Sequence, residues 1–150
     1  MAYVIDASVA LKLFLPEADS PLAERLVVRA PQLLAPDLLL IEAANGLWSN
    51  ARRSRTNTSA FTDKAKFADE AIKILADGRI ELVDSDKLAS LAFKLALELD
   101  HPVYDCTYLA LAIEEDKVFV TADKRFLSRI RETRTYESRV LDLQAADALP

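Results

Sequence analysis

The first sixteen residues, MAYVIDASVALKLFLP, constrain the fold more than any other stretch. Tyr3, Val4 and Ile5 are a continuous run of β-formers, which suits a strand buried on both faces. Asp6 follows at once. After Ser8, an apolar run from Val9 to Leu15 continues without turn residues until Pro16 closes it, too long to belong to the same strand. The stretch reads as strand, carboxylate, helix. In parallel α/β sheets the carboxyl ends of the strands face the functional crevice, which makes Asp6 a candidate site residue.

The rest of the chain repeats this alternation. Ser20-Pro21 predicts an N-cap and a first helical proline, with a helix to about Ala30 stopped by Pro31. A short strand is expected over Leu33–Ala35, then a long helix from Pro36-Asp37 to about Arg53. Ser54 to Ala60 is polar and reads as a loop. A helix over about Phe61–Ala76 ends at Asp77-Gly78, and Ile80–Val83 is a strand by β-branching and length. Asp84-Ser85 is expected to cap the next helix, which His101-Pro102 breaks. A further helix is expected from Tyr104 to Glu114, a buried strand at Val118–Thr121, a basic helix from Asp123-Lys124 to about Glu132, and a last strand over Arg139–Leu143. Strands alternating with helices give an α/β class: a central parallel sheet of four to five strands with helices on both faces. At 150 residues, a single domain spanning 1–150 is expected.

Composition excludes several chemistries. Gly46 and Gly78 are the only glycines, so neither a GxxxxGK phosphate loop nor a GxGxxG fingerprint exists. One histidine and one cysteine build no usual zinc site and no intramolecular disulfide. His101 reads as a loop residue and Cys106 as a small buried hydrophobe. No apolar stretch approaches the ~20 residues that span a bilayer, and no signal-like segment opens the chain, so a cytoplasmic protein with no membrane partner is expected. The net charge of −5 argues against a general nucleic-acid binder. Two runs depart from it. Residues 51–66 carry Arg52, Arg53, Arg55, Lys64 and Lys66 against Asp63 alone, and residues 124–139 carry six cations, Lys124 and Arg125 first, against Glu132 and Glu137. Each run reads either as a solvated face or as a set of phosphate contacts.

Four carboxylates stand out by position: Asp6, Glu42, Asp105 and Asp123. At about 100° per residue, Leu40, Ala43, Ala44, Leu47 and Trp48 share one broad side of the third helix, with Glu42, Asn45, Gly46, Ser49 and Arg53 opposite. Leu38, Leu39 and Ile41 also surround Glu42, so that carboxylate is expected to face a cleft. Taken singly, Asp6, Asp105 and Asp123 also read as helix N-caps, worth ~1 kcal/mol apiece. Taken together, Asp6 and Asp123 leave one edge of a parallel sheet. Two carboxylates ~4 Å apart repel by roughly 4 kcal/mol at an effective dielectric of about 20, so such a cluster stays ionised only beside a cation or by raising a pKa. Oxygen-only ligands favour Mg²⁺ or Mn²⁺. Without histidine, cysteine or glycine-loop chemistry, the pattern points to metal-assisted phosphodiester hydrolysis.

VIDASVALKLFLPE (Val4–Glu17), LLAPDLLLIEAAN (Leu33–Asn45), VYDCTYLALA (Val103–Ala112) and VFVTADKRF (Val118–Phe126) resemble, in order and spacing, the four motif blocks of the PIN-domain family. They are similar in particular to the VapC-type ribonuclease toxins of toxin–antitoxin pairs. The resemblance implies a three-layer α/β/α domain whose acidic cluster binds Mg²⁺ or Mn²⁺ and hydrolyses RNA. It assigns Asp6 and Asp105 as direct metal ligands, with Glu42 and Asp123 completing the set directly or through water. It places Ser8 and Thr121 as small hydroxyl residues supporting the ligands and Asn45 on the same polar stripe. It also implies a cognate antitoxin protein and a homodimer. Cys106 departs from the alanine common at that position. The alternatives are a nuclease of the same fold acting on DNA or in RNA maturation, and a non-catalytic module that binds RNA or a partner.

Overall fold

The computed structural model describes residues 1–53 and 59–149. Five strands form one parallel sheet: β1 (Tyr3–Ile5), β2 (Leu33–Pro36), β3 (Ile80–Val83), β4 (Val118–Thr121) and β5 (Val140–Asp142), in the order β3-β2-β1-β4-β5. The helices are α1 (Ala7–Ala10), α2 (Ser20–Arg29), α3 (Leu38–Arg53), α4 (Ser59–Asp77), α5 (Ala89–Leu99), α6 (Val103–Glu114), α7 (Lys124–Thr133) and α8 (Leu143–Asp147). They flank the sheet in an α/β/α arrangement, as the alternation in the sequence predicts. Among the described residues no helix is long and apolar enough to cross a membrane.

Helix α6 is the interior of the molecule. Cys106 to Ala112 are buried without interruption, and the helix lies across β1, β2 and β4. Beyond its exposed first turn, the helix is apolar on nearly every side, which is the mark of a segment with no solvent face. Tyr108 stacks on Phe119 of β4 at 5.7 Å between ring centroids, and Phe119 meets Phe126 of α7 at 5.5 Å. Helix α3 approaches the segment after α1 closely because Gly46 has no side chain. A Cβ there would run into the Leu11 side chain.

Several local expectations are corrected. The apolar run after Ser8 is helical only to Ala10 and tightens into a 3₁₀ turn over Leu11–Leu13. Asp19, not Ser20, occupies the N-cap of α2. The Ser20 hydroxyl turns back to donate to the Leu15 carbonyl and to accept from the Glu17 amide. Ser85 does not cap the helix that follows it. Its hydroxyl accepts from the Leu38 amide at 3.1 Å and donates to Asp37, so it closes the start of α3 from the neighbouring strand end. On α3 the buried side is Leu39, Ala43 and Leu47, whereas Trp48 is exposed with the Arg52 guanidinium 4.8 Å over its ring. With so few glycines, α5 and α7 end on left-handed Asp100 (φ 48°) and Arg134 (φ 58°).

Candidate active site

The strand order reverses between β1 and β4, because the chain leaves β1 for β2 on one side and returns to β4 on the other. Ligands of open α/β sheets bind outside the carboxyl ends of strands at such a switch point. The register places Ile5 beside Val120, so the next residue, Asp6, falls beside Thr121. A cleft of about 500 Å³ opens there, and Asp6, Glu42, Asp105 and Asp123 all line it, with Ser8 and Asn45.

Asp6 is 6% exposed and held from three sides. The Ser8 hydroxyl and the Val9 amide donate to Oδ1 at 2.5 and 3.1 Å, and the Thr121 hydroxyl donates to Oδ2. Ser8 in turn accepts from the Ala122 amide at 2.9 Å, and Thr121 from the Asp123 amide at 3.0 Å. Two hydroxyls thus tie the end of β1 to the end of β4. Burial pushes the Asp6 carboxyl up to about 6, with the Asp105 charge adding to it, and the three donors only partly offset this.

The other carboxylates come from helices. Glu42 on α3 accepts a short hydrogen bond from the Tyr108 hydroxyl. Desolvation raises its pKa, and the charges of Asp105 and Asp6 act in the same direction. Burial raises the Tyr108 phenol, and the charge of Glu42 and this contact add to it. Asp105 lies in the first turn of α6. It does not cap that helix, whose N-cap is Pro102. Instead its Oδ2 stands 2.7 Å from His101 Nε2, with the His101 ring packed edge-on to Phe126 at 5.1 Å. Desolvation raises Asp105; His101 and Arg125 oppose that, and Asp123 adds to it. Asp123 caps α7, accepting from the Arg125 and Phe126 amides at 2.8 and 3.2 Å, and still faces the cleft. For Asp6 and Asp123, capping and membership of the cleft are one geometry rather than alternatives.

Each carboxylate is therefore turned toward its own donor, and among the described residues no three acidic, histidine or cysteine side chains stand together at metal-ligating spacing. The donor chemistry nonetheless suits a hard cation. All four groups are carboxylates on one cleft, and Asp6, Glu42 and Asp105 carry charge at a cost that a positive ion would relieve. Tyr108 and His101 were not predicted as site residues. For Tyr108 the visible signal is spacing, three residues after Asp105 along α6; His101 precedes the helix and carries no such signal.

The predicted basic contacts divide. Arg125 is exposed beside the cleft, where its charge acts on Asp105. Lys124 lies 3.4 Å from Asp142, and Arg52 and Arg53 are exposed at the far end of α3. Arg55 lies outside the described residues. Later in the second run, Arg129 pairs with Asp100 and Glu132, and Arg139 with Asp116, which removes much of that run's free charge. Cys106 is buried, and burial pushes its thiol up to about 12, so it is no nucleophile.

Residues 3–132 match the family model of the PIN domain. The chain belongs to the PIN-domain family. Within it, the chain is 34% identical to Ribonuclease VapC3 of Pyrobaculum aerophilum over 129 residues, 86% of this chain and 95% of that one. This is a VapC-type PIN domain, and it is a nuclease. Solved structures share the fold. Mycobacterium tuberculosis VapC20, described as a sarcin-ricin loop cleaving toxin, matches 84% of this chain and 93% of its own with a TM-score of 0.65 at 18% identity. Rickettsia felis VapBC2, bound to a DNA fragment from its promoter, matches 95% and 98% with a TM-score of 0.59 at 17% identity.

Proposed function

We propose that this PIN-domain chain is a divalent-metal-dependent endoribonuclease toxin, a single domain that dimerises and is neutralised by a cognate antitoxin. One observation carries the catalytic part: four carboxylates from separate parts of the sequence line a single cleft at the sheet's switch point, with Asp6 buried among them. The RNA substrate, toxin role and antitoxin partner draw their support from the VapC relatives.

Asp6 and Asp105 are the residues that would hold Mg²⁺ or Mn²⁺, with Glu42 and Asp123 joining directly or through water. The ion, when bound, supplies charge that neutralises phosphate oxygens and lowers the pKa of water. The chain's own residues prepare for this. Ser8 and Thr121 fix the Asp6 carboxylate, Tyr108 fixes Glu42 and His101 fixes Asp105, so the acids meet the substrate already oriented. Asn45 offers an amide on the cleft wall, and Arg52, Arg53, Lys124 and Arg125 provide phosphate contacts outside it.

The test is cleavage of single-stranded RNA by purified wild-type and Asp6→Asn protein, with and without chelator. Cleavage that requires the divalent ion and disappears in Asp6→Asn is expected. Equal cleavage by the two proteins, or by the wild type in excess chelator, refutes the assignment.

A further inference from the structure

The fold leaves one tyrosine without a structural task. Tyr3 is buried, Tyr108 stacks on Phe119 and donates to Glu42, and Tyr136 donates to Glu98. Tyr104 is 63% exposed and, among the described residues, makes no hydrogen bond, ion pair or ring contact. It sits in the first turn of α6, immediately before Asp105, and lines the carboxylate cleft. From α3, Ile41 lines the same cleft and is 72% exposed. The wall of the carboxylate cleft thus carries an unengaged aromatic ring and an exposed aliphatic side chain.

The carboxylates that line the cleft repel every phosphate that a cation does not shield, so contacts to the bases are a source of affinity beside the scissile bond that this repulsion does not oppose. Single-stranded nucleic acids are held in such circumstances by bases stacked on aromatic side chains, because every base has a π-face. We propose that Tyr104, with Ile41 on the α3 wall, forms a nucleobase subsite for single-stranded RNA, in which an unstacked base beside the scissile phosphate lies on the Tyr104 ring. The subsite rests on the nuclease reading of the cleft. It explains why an exposed tyrosine directly precedes Asp105, and it makes duplex RNA, whose bases are already stacked, a poor ligand.

The test is equilibrium binding of a labelled single-stranded RNA to Asp6→Asn protein, alone and combined with Tyr104→Ala or Tyr104→Phe. A parallel set of RNAs carries one abasic nucleotide at each position in turn. Tyr104→Ala is expected to weaken binding about 5- to 150-fold, the range of one base–aromatic stack, and Tyr104→Phe to recover most of the loss. One abasic position should cost the Tyr104 protein a similar factor and cost Tyr104→Ala nothing further. Unchanged affinity in Tyr104→Ala, or losses that multiply at every abasic position, overturns the subsite. So does an effect confined to dimerisation or to antitoxin binding with RNA affinity kept, since the ring then faces protein. If the wild type binds RNA with the expected pattern but cleaves none, the catalytic reading fails and the subsite stands. If it cleaves RNA while tolerating abasic nucleotides everywhere, the subsite alone fails.

Discussion

Replacing Asp6 by asparagine should stabilise the protein at neutral pH in chelator, by an amount set by the burial of its charge. The carboxyl titrates near 6 in the fold against 3.8 in the unfolded chain. At 1.36 kcal/mol per pKa unit, the ionised group costs the folded state about 3 kcal/mol. A folded pKa raised in this way contributes stability that is fully present below pH 3.8 and lost as the pH rises through 6. Asparagine does not titrate, so the difference in unfolding free energy between variant and wild type should be flat below about pH 4. It should grow toward the variant's favour up to pH 6 and then level off, by about 3 kcal/mol in all. Any constant cost from rearranging the hydroxyls of Ser8 and Thr121 drops out of that pH-dependent change. The charge of Asp6 also raises Glu42, so its removal eases that group in the same direction. Urea denaturation at pH 4 and pH 7.5 in chelator measures it, with linear extrapolation at each pH. A difference that stays constant between the two, or moves in favour of the wild type, refutes the claim that Asp6 is held as a costly buried charge.

Two further outcomes follow from the same geometry. Tyr108→Phe removes the donor that holds Glu42; it should cost about 1 kcal/mol in denaturant titrations and lower the cleavage rate at saturating RNA more than it changes RNA affinity. Arg125→Ala should weaken RNA binding uniformly across sequences and reduce the slope of log affinity against log salt by about 0.7, one phosphate contact to a single strand, as read by titrations at several salt concentrations.

The sequence revealed most where chain-local signals decide the structure. Short β-branched runs such as Tyr3–Ile5 and Val118–Thr121, followed by an acid and a helix, fix both the strands and which of their ends carries the carboxylates. Glu42 and Asp105 stand out by position as well, and the resemblance to the family blocks joins all four acids into one set. Legibility stopped where the deciding partner is remote. Ser85 looks like a cap for the helix after it, but the neighbouring strand end offers it Leu38 and Asp37 instead. Tyr108 looks like one more residue of an apolar helix until its hydroxyl meets Glu42 across 66 positions. Helix α3 defeated the choice of face because apolar residues lie on nearly all its sides. Periodicity could not decide that Trp48 and Ile41 stay outside while Leu39 and Ala43 go in. His101 was legible as a loop residue, but its pairing with Asp105 spans the break between two helices, where helical spacing is not a safe guide.

The central claim is that Asp6, Glu42, Asp105 and Asp123 act as one cation site, and calorimetric titration of Mn²⁺ into chelator-stripped protein tests it most directly. The wild type should bind the ion saturably, Asp6→Asn and Asp105→Asn should each lose that heat, and Asp147→Asn, which does not line the cleft, should keep it. Saturable binding that survives both cleft substitutions, or no binding by the wild type at all, would contradict it.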